Sequence, residues 1–299
     1  MKKLVALLIV GLFVSISLTG LGLAGGTAPY KCDTRYPVVL AHGMGASTKI
    51  LGIVDYWYGI EDALKAEGAS VYFTSVNAMG STVDKAADFK QQFMEILAVT
   101  GAPKANIIGH SHGTLYTRYA ISNLGLAPYV ASYTSLAGPH RGSAVASLIM
   151  YDLPDWLLAA GGDVLNFVYT FIFGDTNPDS LQNALDLCPD YMVNTFNPNT
   201  PNIPGIYYQS WAAKAKTSCP SVILEPTWLI MLIEEGANDG LVSVESAKWG
   251  NFRGVEDAAW YSAGCDHLNI VGQLFGVTPG FDAPQFFVDI VEDLKGRGY

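Results

Sequence analysis

The chain has 299 residues, enough for one large α/β domain or two smaller ones. Half of its residues are hydrophobic and only 15% are charged, which supplies a sizeable core and excludes a disordered chain. A formal net charge of −10 gives no electrostatic reason to bind nucleic acid.

Lys2 and Lys3 precede an almost wholly apolar run from Leu4 to Leu23, closed by the small residues Gly22 and Ala24. This pattern reads as a secretory signal peptide over residues 1–24, cleaved after Ala24, so that the mature protein is secreted or periplasmic. An uncleaved membrane anchor is the competing reading, and the crowd of small residues at the C-terminal end favours the leader. The residues before Cys32, Ala28-Pro29-Tyr30-Lys31, do not form a lipid-attachment motif. Export permits disulfides among Cys32, Cys188, Cys219 and Cys265, and Cys188 with Cys219 is the preferred pair because it closes a modest loop.

Residues 25–299 read as a single domain. Tyr36-Pro37-Val38-Val39-Leu40-Ala41 is a short apolar run of buried parallel-strand type, ending in His42-Gly43. Asp55 to Glu67 has helical spacing at Trp57, Ile60, Ala63 and Leu64, and Gly68 stops it. Ser70 to Thr74 is a second strand, Val83 to Val99 a helix with Phe89, Phe93, Ile96 and Leu97 on one face, and Ala105 to Ile108 a third strand. A helix from His112 to about Leu124 and a strand from Tyr129 to Leu136 follow. Such alternation predicts right-handed βαβ crossovers and a mostly parallel sheet with helices on both faces. Ligands then sit beyond the carboxyl ends of the strands.

Between about 143 and 204 the alternation lapses. Leu148 to Leu158 and Val164 to Phe173 are apolar and helix-like, and Pro- and Asn-rich loops follow. A helical lid or cap over the active face and ordinary core helices are equally open readings. The sheet pattern returns with strands at Gly205 to Trp211, Thr227 to Ile233 and Ala258 to Ala263, and a closing helix runs from Pro284 to Leu294.

Gly109-His110-Ser111-His112-Gly113 matches G-x-S-x-G. The pentapeptide alone is weak, but here an apolar strand precedes it and a helix follows, which is the context of a nucleophile turn. A serine hydroxyl needs an adjacent base. In folds with this turn the acid lies between serine and histidine in the chain, and no Asp or Glu separates Ser111 from His140. Of the five histidines, only His267 completes the order. For the acid, Asp239 in the turn Asn238-Asp239-Gly240 stands at the end of the apolar run Thr227 to Ile233, where it could orient the imidazole. Asp257 and Asp266 compete with it. The oxyanion calls for backbone amides of the residue after the nucleophile, His112, and of the Gly-rich loop His42-Gly43-Met44-Gly45, where Met44 is the expected donor.

Together these segments resemble the secreted bacterial triacylglycerol lipases of the Pseudomonas and Burkholderia type, members of the α/β-hydrolase superfamily. The likeness covers most of the mature chain. It is densest at Tyr36 to Met44, Asp55-Tyr56-Trp57-Tyr58-Gly59-Ile60, Ile108 to Gly113, Gly138-Pro139-His140-Arg141-Gly142-Ser143, Tyr207-Tyr208-Gln209-Ser210-Trp211, Ala237 to Val242 and His267-Leu268. The resemblance implies an α/β-hydrolase fold, a triad of Ser111, Asp239 and His267, and an oxyanion hole of the Met44 and His112 amides. It implies a lipid ester substrate met at an oil–water interface, and a dedicated folding chaperone as partner. No cofactor is needed for the chemistry. The family's structural calcium ion would fall at Asn269, where its pattern has an Asp, and at the carbonyls of Gln273 and Val277. Asn269 offers an oxygen without charge, and the family's second ligand Asp has only Glu225 near its place. The family's disulfide does not carry over, because Glu245 stands where its second cysteine falls. The expected function is ester hydrolysis by Ser-His-Asp acyl transfer. A carboxylesterase or polyester depolymerase on the same triad is the near alternative, and a non-catalytic binding module the distant one.

Overall fold

The computed structural model describes residues 30–43, 49–50, 54–77, 80–151, 182, 184–273 and 275–299. The segment expected to be a signal peptide, Met44 and most of the segment expected to form a lid lie outside those residues.

Val38–Ala41 (β1) is buried at every position, because parallel strands flank it on both edges and helices cover both faces. After it come a short hairpin, Lys49–Ile50 (β2) with Val54–Asp55 (β3), and the helix Ile60–Ala66 (α1). Then follow Val71–Thr74 (β4), Thr82–Thr100 (α2), Ala105–His110 (β5), Gly113–Asn123 (α3), Val130–Leu136 (β6) and Ala144–Tyr151 (α4). The second half carries Tyr207–Ala215 (β7), Glu225–Glu234 (α5), Val244–Ala247 (α6), Asn251–Glu256 (β8), Gly264–Cys265 (β9) and Ala283–Gly296 (α7). The sheet runs β4-β1-β5-β6-β7-β8 with every pair parallel, and β9 pairs antiparallel with the end of β7.

Side chains alternate across the sheet. Val38, Leu40 and Ile108 pack on one face against Ile60 and Leu64 of α1 and Phe287 and Val291 of α7. Val39 and Ile107 pack on the other against Phe89 and Phe93 of α2 and Tyr116 of α3. Capping fixes where helices begin: Ser81 Oγ accepts the Asp84 amide at α2, and Asp282 accepts the Gln285 amide at α7.

Two predicted strands are not strands. Thr227 to Ile233 lies inside helix α5. Pro226 near its start and Glu225 in its first turn are helix-start signals. Its outer face exposes Leu229, Leu232 and Ile233, so no amphipathic pattern betrays it. Ala258 to Ala263 is a loop with Ala258 at φ 58° and Trp260 exposed at 91%, and the strand is β8 just upstream. The expected Cys188–Cys219 disulfide is also absent. All four cysteines are free and buried, and these two sit in separate apolar clusters, with Met192 and Phe196 in one case and Leu224 and Trp228 in the other. No helix among the described residues is long and apolar enough to cross a membrane.

Candidate active site

Ser111 sits where β5 ends and α3 begins, with φ at 55°, a region that costs a non-glycine residue energy unless the surroundings enforce it. They do so through close packing at the two motif glycines. A Cβ on Gly113 would lie 2.2 Å from the Ala41 carbonyl oxygen of β1, and one on Gly109 would lie 3.0 Å from the Gly113 backbone. The Ser111 amide donates to the Leu136 carbonyl of β6 at 3.0 Å. The turn is thus clamped by both neighbouring strands.

His267 and Asp239 reach the same end of the sheet by a route the sequence did not disclose. Both hang from the end of β7: the Ala215 amide donates to the Asn238 carbonyl at 3.0 Å, and Lys214 pairs with Cys265 of β9. Their backbones are joined by the His267 amide donating to the Asp239 carbonyl at 2.9 Å. Asp239 Oδ2 accepts from His267 Nδ1 at 2.8 Å, and its Oδ1 accepts the amides of Leu241 and Val242 at 2.9 and 2.7 Å. The carboxylate is buried yet fully hydrogen-bonded, and with Nδ1 as donor the His267 Nε2 is left as the basic nitrogen. Ser111 and His267 line one cavity with Val145, Leu187, Leu241 and Leu268. The competing acids do other work. Asp257 pairs with Lys214 at 3.1 Å, and Asp266 accepts the Ser221, Leu268 and Asn269 amides. Burial raises the Asp266 carboxyl above its usual range.

The loop expected to supply the oxyanion donor is described as far as Gly43. A Cβ there would meet Ser111 Cβ at 2.8 Å, so only glycine lets the loop lie against Ser111. Three side chains hold it. Gly43 N–H donates to Tyr56 Oη at 2.9 Å, Tyr116 Oη donates to the His42 carbonyl at 2.9 Å, and His42 Nδ1 donates to the Gly43 carbonyl at 2.8 Å. Burial lowers the His42 pKa to about 4, so its ring is neutral. Tyr56 Oη in turn contacts His110 Nδ1 at 2.5 Å, and the His110 ring lies 4.6 Å from that of His267. Tyr56 and Tyr116 were not recognised from sequence as parts of the site. The one signal for Tyr56 was its place in the Asp55-to-Ile60 motif.

Of the positions expected for calcium, the Asn269 side chain is committed within the chain. Asn269 Oδ1 accepts the Asp266 amide at 3.1 Å, which turns Nδ2 toward the Gln273 carbonyl at 2.7 Å. Asn269 therefore turns a donor rather than an oxygen toward the Gln273 carbonyl. Glu225 is likewise committed, accepting the Cys219 amide at 2.6 Å. The Val277 side chain is exposed.

The chain is 31% identical to a triacylglycerol lipase of Vibrio cholerae, with 94% of each chain covered. The chain belongs to the triacylglycerol lipase family. A Burkholderia plantarii triacylglycerol lipase is 40% identical over 44% of this chain and 38% of its own. A family model described as palmitoyl protein thioesterase matches residues 37–175. Among solved structures, a Bacillus licheniformis lipase in mature form superposes with a TM-score of 0.64 at 20% identity, covering 89% of this chain and 94% of that one. A metagenomic carboxyl esterase superposes at 0.65 and 18%, covering 88% and 76%. These two likenesses bear on the α/β-hydrolase fold of this family member, and the expected fold class holds.

Proposed function

We propose that the chain is an exported serine ester hydrolase that cleaves long-chain fatty acyl esters, triacylglycerols foremost. One observation carries this reading: a strained Ser111 shares an apolar cavity with a histidine whose Nδ1 is held by a buried carboxylate. In the proposed cycle Ser111 Oγ attacks the ester carbonyl while His267 Nε2 takes its proton. Asp239 holds the imidazolium that forms. The oxyanion rests on the amides of His112 and Met44. Collapse breaks the C–O bond, and the alcohol leaves with the proton from His267. Water then attacks the acyl-enzyme by the same route and frees the fatty acid.

The apolar lining supports long acyl chains, because each buried methylene adds about 0.8 kcal/mol of binding. The leader over residues 1–24 and the acidic composition support export. The deciding experiment compares emulsified triolein with a soluble butyrate ester, for the wild type and Ser111→Ala. Faster turnover of triolein, lost in the variant, is expected. Preference for the butyrate ester would move the assignment to a short-chain carboxylesterase, and ester turnover by the variant would overturn the mechanism.

A further inference from the structure

Behind the nucleophile turn lies a buried cation that the proposed acyl-transfer cycle does not use. Lys85 is on the first turns of α2 with its side chain 1% exposed. That is an unfavourable place twice over. Burial penalises an ammonium, and a helix N-terminus carries positive partial charge of its own. Lys85 Nζ lies 3.0 Å from His112 Nδ1, and His112 Nε2 lies 2.8 Å from Thr82 Oγ1. The His112 ring, wholly buried, is therefore held at both nitrogens by residues of α2. A purely structural ion pair does not explain the arrangement. The buried carboxylate nearby, Asp186, gives its two oxygens to the Thr82 amide at 3.0 Å and to Gln182 at 2.9 Å, while the Lys85 ammonium is bonded to His112.

His112 caps α3 and directly follows Ser111, so its ring and the amide assigned to the oxyanion belong to one residue. We propose that Lys85 is a positioning residue for acyl transfer: through the His112 ring it fixes the His112 amide and sets a positive charge behind the developing oxyanion. The inference rests on the ester-hydrolase reading above. In a water-excluded site a preorganised charge acts on the transition state more than on the neutral ester, so its effect belongs in kcat. The titratable groups facing Lys85 are His112 from the start of α3, His42 from the end of β1 and Asp186 from the turn before Pro189. Burial lowers the Lys85 pKa to about 7, with Asp186 opposing the fall. Burial, then Lys85, then His42 keep His112 neutral. The charge behind the oxyanion is thus present below neutrality, half present near pH 7 and lost as pH rises further.

The test uses the full mature chain, a soluble p-nitrophenyl ester, and the variants Lys85→Met and Lys85→Arg. Their folding is checked by circular dichroism. Lys85→Met is expected to lower kcat by about 10–100-fold with KM within threefold. Lys85→Arg is expected to recover most of the loss and to move the alkaline limb of the kcat/KM profile up by more than one pH unit, because a guanidinium stays charged there. A folded Lys85→Met with wild-type kcat, or a Lys85→Arg profile superimposable on the wild type, overturns the proposal. Should Lys85→Met fail to fold, the arginine profile decides alone. A folded wild type that hydrolyses no ester overturns the ester-hydrolase reading and this inference with it, an outcome distinct from wild-type turnover that Lys85 variants leave unmoved.

Discussion

Ser111 and Asp239 show two ways in which a single residue stores function. Ser111 holds a backbone conformation that strand and helix neighbours enforce, and alanine at the same φ meets a comparable backbone cost. Ser111→Ala should therefore fold and melt near the wild type while losing about 10⁴-fold or more of kcat for a p-nitrophenyl ester. Asp239 is different, since its two oxygens serve separate tasks. In Asp239→Asn one oxygen can still accept the Leu241 and Val242 amides, but an NH2 then faces His267 Nδ1 and favours the wrong tautomer. A loss of about 10⁴-fold in kcat with little change in melting temperature is expected, and a loss below tenfold would remove Asp239 from its assigned role. Ser111 was legible as the candidate nucleophile because its motif needs only local context, a strand before and a helix after. Lys85 was not, because its spacing with Phe89 and Phe93 places it on the apolar stripe of α2, and what it meets there belongs to α3.

At the scale of elements, close backbone approach and local hydrogen bonding replace side-chain bulk at the site. Helix α3 can begin against β1 only because residue 113 lacks a Cβ, so Gly113→Ala should push the helix off the strand. A loss of about 3 kcal/mol or more in urea unfolding is expected, together with activity. The turn after His267 is bridged by the Asn269 amide in the place the family resemblance gives to calcium. Chelator should leave the melting temperature unmoved, whereas Asn269→Ala should cost about 1–3 kcal/mol by stranding the Gln273 carbonyl. A chelator-dependent melt would show that an ion, not the amide, holds this turn. The misread element α5 belongs to the same scale. Thr227 to Ile233 is a short apolar run without period, and Pro226 and Glu225 ahead of it were the signals that would have separated helix from strand.

For the whole molecule, the buried histidines set the response to acid. His42, His110, His112 and His140 all have pKa values lowered by burial, in the case of His42 to about 4. Above about pH 6.5 these rings are neutral in both folded and unfolded chains and have no effect on stability. Below it the unfolded chain takes up protons that the folded chain refuses, so stability falls as pH drops. For His42 the loss is about 2 kcal/mol between pH 6.5 and 5. Urea unfolding from pH 8 to 5 should show a midpoint that falls throughout, gently between 8 and 7, where the unfolded chain keeps the Lys85 proton that the folded chain sheds, and steeply below 6.5. A midpoint that rose on acidification would contradict the neutral burial of these rings.

The sequence by itself determined the βαβ rhythm as far as β6 and the strand-to-helix turn at Ser111, and through chain order it singled out the histidine proposed as base, because each follows from local periodicity or from a motif with its own context. Export and the lid were also read from sequence, on segments outside the described residues. Only the tertiary structure decided how Asp239 and His267 meet. Both hang from the end of β7, one through a backbone hydrogen bond and the other through the antiparallel β9, and pairings between residues far apart in the chain leave no periodic trace. It also decided that the cysteines stay apart, that an amide bridges the turn after His267, and that a buried ammonium stands behind His112. Each of these depends on which surfaces the sheet order brings face to face, and local composition carries no record of that.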